Sequence, residues 1–293
     1  MSTRRLAALV LLCVPLLAAC GSSSGTAAPS SKPSSVTVFE AASLARVMVH
    51  LRDAFTASGH NTTVLDDAEG TQLLLTKLEA DPSAADVFIS ADRKHMDDAR
   101  SRGLVETPQD LVVNRLAVIV PAGNPAHISS FTDLSRQGLR ISLADSSVPA
   151  GSYAEQALSL AESNHDAPAG FAKAVLANVV TRQPQVTTVV ADVSAGVVDS
   201  GIVYVTDAKD NAKVTALPIP QRDQPVTVYV VAVTSHARNP QPARTFVDFL
   251  LSPQGQRILV DAGFATPGPT ANPPGPPRGS MSPGQLPSPS TSP

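Results

Sequence analysis

From residue 36 to about residue 266 the chain alternates two kinds of hydrophobic pattern. Short β-branched runs (VTVF at 36–39, TTVL at 62–65, DVFIS at 86–90) are each followed by a stretch whose apolar residues recur every three or four positions. In residues 42–58 that set is Leu44, Val47, Leu51 and Phe55, which is the spacing of one helix face. Further helices are predicted over 71–80 and 94–102, the last ended by Gly103. Strand, helix, strand at these intervals implies βαβ units and a mainly parallel sheet.

The pattern shifts at RLAVIV (115–120), an apolar strand closed by PAGNP (121–125), which suits a crossing into a second domain. A further α/β set follows, with strands over 139–143 and 201–205 and helices over 151–163 and 185–195. VTVYVVAV (226–233) reads as a buried strand returning the chain, and a helical stretch over 242–262 with Phe246, Phe249 and Leu250 closes it. The prediction is an α/β protein of two domains, residues 36–117 plus 224–266 and residues 118–223. One domain interrupting another gives two crossovers, hence a hinge and a cleft, a favoured place for a small ligand.

The two ends read differently. Arg4 and Arg5 precede an apolar run over residues 6–17, too short for a membrane span but suited to a secretory leader. The run ends in Leu17-Ala18-Ala19-Cys20, which resembles the bacterial lipobox and predicts cleavage after residue 19 with lipidation of Cys20. With Cys13 discarded and Cys20 acylated, no thiol is left for a disulfide. Residues 20–35 are a lipidated Cys followed by a Gly/Ser/Pro tether. Residues 267–293, rich in proline with almost no large apolar side chain, are expected to be disordered. Loss of the leader moves the formal charge from −3 to about −5, which argues against a nucleic-acid surface. An acidic protein can still hold an anion, but by local dipoles.

Three strand-to-helix junctions offer such dipoles. Ser43 opens the first helix, Thr71 the second, and Ala150-Gly151 a helix of the second domain, where Gly151 would let a ligand approach the backbone. Free N–H groups at helix starts bind anions, and hydroxyls add donors without charge. Each of these alone is more often a simple cap.

Together the junctions carry a likeness. VFEAASL (38–44), ADVFISAD (85–92), VPAGSY (148–153) and GIVYVTD (201–207), with Gly263-Phe264 at the end, make the chain resemble the molybdate-binding proteins of bacterial ABC importers. The resemblance implies the class II periplasmic binding-protein fold and an oxyanion, molybdate or tungstate, held between the domains. It implies five ligand residues: Ser43 through its hydroxyl and backbone, Thr71, the backbone N–H groups of Ala150 and Val186, and the Tyr204 phenol. It also implies an ABC permease and its ATPase as partners, a monomer, and a place on the outer face of the cell membrane. No cofactor is implied. The chain departs from the family pattern at Asp66, Asp67 and Glu69, where a serine-rich stretch is usual, and these acids are expected in a solvated loop. Glu40 is expected to point away from the site.

An enzyme is disfavoured. No G-x-S-x-G, HExxH or P-loop occurs, and the six histidines are scattered. Asp92, His95, Asp97 and Asp98 could suggest a metal-dependent enzyme, but the run reads as the solvated face of a helix. The nearer alternative is the same fold taking sulfate or phosphate.

Overall fold

The computed structural model describes residues 34–268. The leader, Cys20, residues 21–33 of the tether and residues 269–293 of the tail lie outside the described residues, whereas Ser34 and Ser35, expected in the tether, already belong to the first strand.

The first lobe is a five-stranded sheet in the order β2-β1-β3-β10-β4. It is formed by β1 (Ser34–Ala41), β2 (Thr62–Glu69), β3 (Val87–Ser90), β4 (Gln109–Asn114) and β10 (Thr227–Val233). β1 pairs in parallel with β2 and β3, while β10 runs antiparallel to β3 and β4. Both faces are covered. Val36 and Val38 of β1 belong to one core with α1 (Ala45–Ala57), α8 (Pro240–Leu251) and α9 (Pro253–Asp261). Phe39 faces the other way, into a core with α2 (Thr71–Ala80) and α3 (Arg93–Ser101). A strand buried on both sides cannot show period-2 alternation, which explains its continuous apolar run.

The second lobe is a sheet in the order β7-β6-β8-β5-β9. Its strands are β5 (Leu116–Pro121), β6 (Ile141–Ala144), β7 (Val179–Gln183), β8 (Ser200–Tyr204) and β9 (Val214–Pro218). Helices α4 (Pro149–Ser163), α5 (Phe171–Ala177), α6 (Val186–Ser194) and the single turn α7 (Val205–Ala208) complete it.

Several sequence expectations shift. The sheets change at Arg115, ahead of the predicted boundary at 117/118, so RLAVIV already belongs to the second lobe. β4 and β5 are separate strands because Asn114 turns its side chain back: its Oδ1 accepts the Arg115 N–H at 2.9 Å and its Nδ2 donates to Thr206 Oγ1 at 2.9 Å. The acids at 66–69 are not a loop. β2 continues to Glu69 because β1 supplies a parallel partner for every residue, Phe39 against Asp67 and Ala41 against Glu69. The stretch 242–262 is two helices, broken where Ser252 caps α9 by accepting the Gly255 N–H at 3.2 Å.

Candidate functional site

The C-terminal ends of the parallel strands β1, β2 and β3 in the first lobe and β6, β7 and β8 in the second face one small cavity, lined by Ser43, Thr71, Ala150, Val186 and Tyr204 among others. Ser43 lies in a 3-10 turn (Ala42–Leu44) between β1 and α1. Thr71 is the first residue of α2, Val186 the first of α6, and Ala150 follows Pro149 in the first turn of α4. Tyr204 ends β8.

Neither hydroxyl is a helix cap. Gly70 holds the N-cap position of α2, and none of α2, α4 and α6 has a side-chain cap, in contrast to α3 and α9. The first bonds back to the turns before α4 and α6 start at the Ser152 and Thr188 N–H groups, which donate to Val148 O and Gln185 O. The amides of Ala150 and Val186 precede them, so three helix starts meet at the cavity with first-turn donors and positive dipole ends.

The hydroxyls are arranged to donate. Thr71 Oγ1 accepts the Ala91 N–H at 3.2 Å, which leaves its own proton free. Ser43 Oγ lies 2.6 Å from Tyr229 Oη. Tyr204 Oη is buried without a hydrogen-bond partner. Burial holds this phenol well above its usual pKa, so it stays a neutral O–H. A buried O–H left unpaired costs about 1–3 kcal/mol, which marks a place where a ligand acceptor would be favourable.

Charge at the cavity wall is almost wholly suppressed. No Lys or Arg lines it, and the one acid that does is Glu69. Glu69 is ion-paired with Lys77 at 2.9 Å, which also holds Asp67 at 2.7 Å, and Asp66 is paired with Arg52. The acidic stretch is therefore partly compensated, three carboxylates against two cations, while its side chains stay partly exposed. Glu40 does point away from the cavity, onto the α1 face of β1, but it is fully buried there with neither carboxyl oxygen bonded. Burial, then the nearby Asp66, push its pKa well above the carboxylate range, with Arg52 opposing. It is held as a neutral acid.

Gly151 does not serve ligand approach: a Cβ there would come 2.1 Å from Asp145 O and 2.4 Å from Ala144 O, so the glycine is required by the tight turn into α4. Asp92 and His95 are not a solvated face. Both are buried, Asp92 capping α3 through the His95 N–H at 2.9 Å and holding His95 Nδ1 at 2.9 Å. Among the described residues no group of three or more His, Cys, Asp or Glu could hold a metal.

Two supporting residues escaped the sequence reading. Tyr229, fully buried on β10, bonds Ser43 and accepts from Asn114 Nδ2 at 3.4 Å. Asp207, behind the site, accepts the Tyr204 N–H at 3.1 Å, and burial raises its pKa to about 7. The one signal for Tyr229 is a single aromatic residue in an otherwise β-branched and aliphatic strand.

Two α/β lobes joined by paired crossovers, with helix starts opposed across a cavity, make this a periplasmic-binding-protein fold. The periplasmic molybdate-binding protein of Azotobacter vinelandii superposes with a TM-score of 0.69 at 18% identity, covering 80% of this chain and 100% of that one. The chain belongs to the bacterial extracellular solute-binding protein family, whose pattern matches residues 36–265. It is 35% identical over 256 residues to the molybdate-binding protein ModA of Mycobacterium tuberculosis, covering 86% of this chain and 93% of that protein. It is 31% identical over 244 residues to ModA of Escherichia coli, covering 78% and 88%. Membership of this family makes it a transport component rather than an enzyme.

Proposed function

We propose that the mature chain captures molybdate, or tungstate, between its lobes and delivers it to an ABC importer. The observation that carries this is the set of neutral donors from both lobes around one cavity, with Tyr204 Oη left unpaired. Ser43 and Thr71 donate from the first lobe, the amides of Ala150 and Val186 and the Tyr204 phenol from the second. Likeness to two molybdate-binding proteins supports the same ligand.

The donor set also explains selection. A fully ionised tetrahedral dianion brings acceptors only, so neutral donors satisfy it completely. A protonated phosphate brings an O–H that needs an acceptor, and here the nearby carboxylates are engaged with cations. Sulfate differs mainly in radius, so cavity size must do that sorting. Binding bridges the lobes and favours the closed form, which a permease reads. No described helix is long and apolar enough to cross a membrane, and the sequence carries no P-loop. Transport and ATP hydrolysis belong to the permease and its ATPase. Cys20 anchors the monomer by lipid to the outer face of the membrane, with residues 21–33 as its tether.

Calorimetric titration of the mature protein with molybdate, tungstate, sulfate and phosphate tests this. Saturable binding of molybdate and tungstate, with sulfate much weaker and phosphate absent, is expected. Tighter sulfate binding would reassign the ligand, and binding of none of the four would remove the oxyanion role.

A further inference from the structure

The two lobes touch at a point that is not itself a donor to the cavity. Gln72, in the first turn of α2, sends its Nε2 across the cleft to Pro184 O at 2.9 Å. Gly70 stands beside it so closely that a Cβ would come 2.5 Å from the same Pro184 oxygen. Pro184 is two residues before Val186, whose amide faces the cavity. The contact therefore joins the loop that starts α2 to the loop that starts α6.

Its position gives it leverage. The crossovers enter the first sheet at β4 and β10, and β2 is the opposite edge. They enter the second sheet at β5 and leave from β9, with β7 at the far edge beyond β6 and β8. Gln72 follows β2 and Pro184 follows β7, so they meet at the side of the cleft remote from the hinge. For a rotation about the hinge, that is where closure moves the chain most. A bond there breaks first on opening and constrains the angle most tightly.

Its strength is modest. Gln72 Oε1 is buried without a partner, which offsets part of the bond that Nε2 makes. Such a contact biases closure without locking the empty protein shut.

We propose that Gln72, with Gly70, latches α2 onto Pro184 and so acts as a positioning residue for lobe closure, setting how long a bound anion stays. This rests on the oxyanion reading of the cavity. The latch raises the fraction of protein in the closed form, and apparent affinity scales with that fraction. The effect falls on dissociation, because the encounter occurs in the open form.

The test compares wild type with Gln72→Ala, Gln72→Met and Gly70→Ala by calorimetry and by chase of labelled molybdate. Both Gln72 variants should release molybdate roughly three- to tenfold faster, as loss of one hydrogen bond predicts, with the association rate and the ligand-free Tm unchanged. Methionine keeps the bulk without the donor, so a wild-type release rate in Gln72→Met would overturn the bond's role. Gly70→Ala should release faster still, because its methyl group meets backbone of the other lobe; unchanged release there would show that the lobes do not close this far. The pair Gln72→Cys/Pro184→Cys, in a Cys20→Ser background, reads the contact without any ligand. A short bifunctional thiol reagent should join the two positions, and no cross-link overturns the latch. If wild type binds no oxyanion, the reading of the cavity fails, while the cross-link still decides the contact.

Discussion

The two walls of the cavity are built from different material. The first lobe offers two side-chain hydroxyls, Ser43 and Thr71, each held by a second group, Tyr229 Oη and the Ala91 N–H. The second lobe offers two backbone amides at the starts of α4 and α6 and a phenol with no protein partner. Side-chain donors can be changed one atom at a time and depend on their neighbours for aim. Backbone donors are aimed by the helix itself, so they tolerate many side chains and are preorganised at little entropic cost. On the proposed reading the first lobe supplies adjustable contacts, and the second supplies a fixed cradle.

That contrast can be broken most sharply at Val186. It is the first residue of α6, where proline is favoured, and the preceding Gln185 is extended at φ −158°, ψ 155°, as a residue before proline should be. Val186→Pro therefore deletes one amide donor while leaving the helix start in place. A charge-assisted bond of about 1.5–3 kcal/mol sets the expected loss at roughly ten- to hundredfold in molybdate affinity, read by calorimetry. An unchanged affinity would mean that the cradle does not use this amide.

Tyr204→Phe comes next. Affinity should fall about tenfold, while the Tm of the empty protein should hold or rise slightly because a buried unpaired O–H is removed. A fall in Tm would mean that the phenol has a structural partner in the empty protein.

On the first wall, Thr71→Ala and Thr71→Ser separate aim from donation. Alanine leaves the Ala91 N–H unpaired and should cost about 1–2 kcal/mol of stability as well as affinity. Serine keeps the hydroxyl and should restore most of both. If alanine weakened binding with full stability, the bond to Ala91 would be incidental.

The smallest effect concerns Asp207, which reaches the second wall only through the Tyr204 N–H. Its pKa is raised by folding from 3.8 to about 7. The folded state thus holds the proton more tightly: the associated stability is fully present below the unfolded value and is lost as pH rises through about 7. Over the same interval a carboxylate appears behind an anion site. Molybdate affinity should decline roughly two- to threefold between pH 6 and 8, and Asp207→Asn should flatten the profile. A wild-type profile already flat would show that the charge is screened from the ligand.

The same contrast governs what could be read in advance. Hydroxyls at strand-to-helix junctions carry their chemistry in their letters, so Ser43 and Thr71 were legible as donors, whereas Tyr204 came only from the family likeness. The proposed donors at Ala150 and Val186 are groups that every non-proline residue has; the junction pattern pointed to the first, and only the family likeness to Val186. Tyr229 lay in a strand whose apolar neighbours made it look like core. The crossing at Arg115 was misplaced because Asn114 ends β4 through contacts to Thr206 and to its own neighbour, and only the first is tertiary. The strand through Asp66 and Asp67 ran against local propensity, since acids are poor strand formers. Pairing with β1 and ion pairs to Arg52 and Lys77 overrode it.

The chain contains three tyrosines and no tryptophan. Those tyrosines, Tyr153, Tyr204 and Tyr229, are all buried; Tyr204 and Tyr229 pack edge to face at 5.7 Å between ring centres, and Tyr204 lines the cavity. The near-ultraviolet signature of the protein is therefore dominated by the cleft. Difference absorbance or emission of the unlabelled protein becomes an optical reporter of occupancy, with no background from distant indoles.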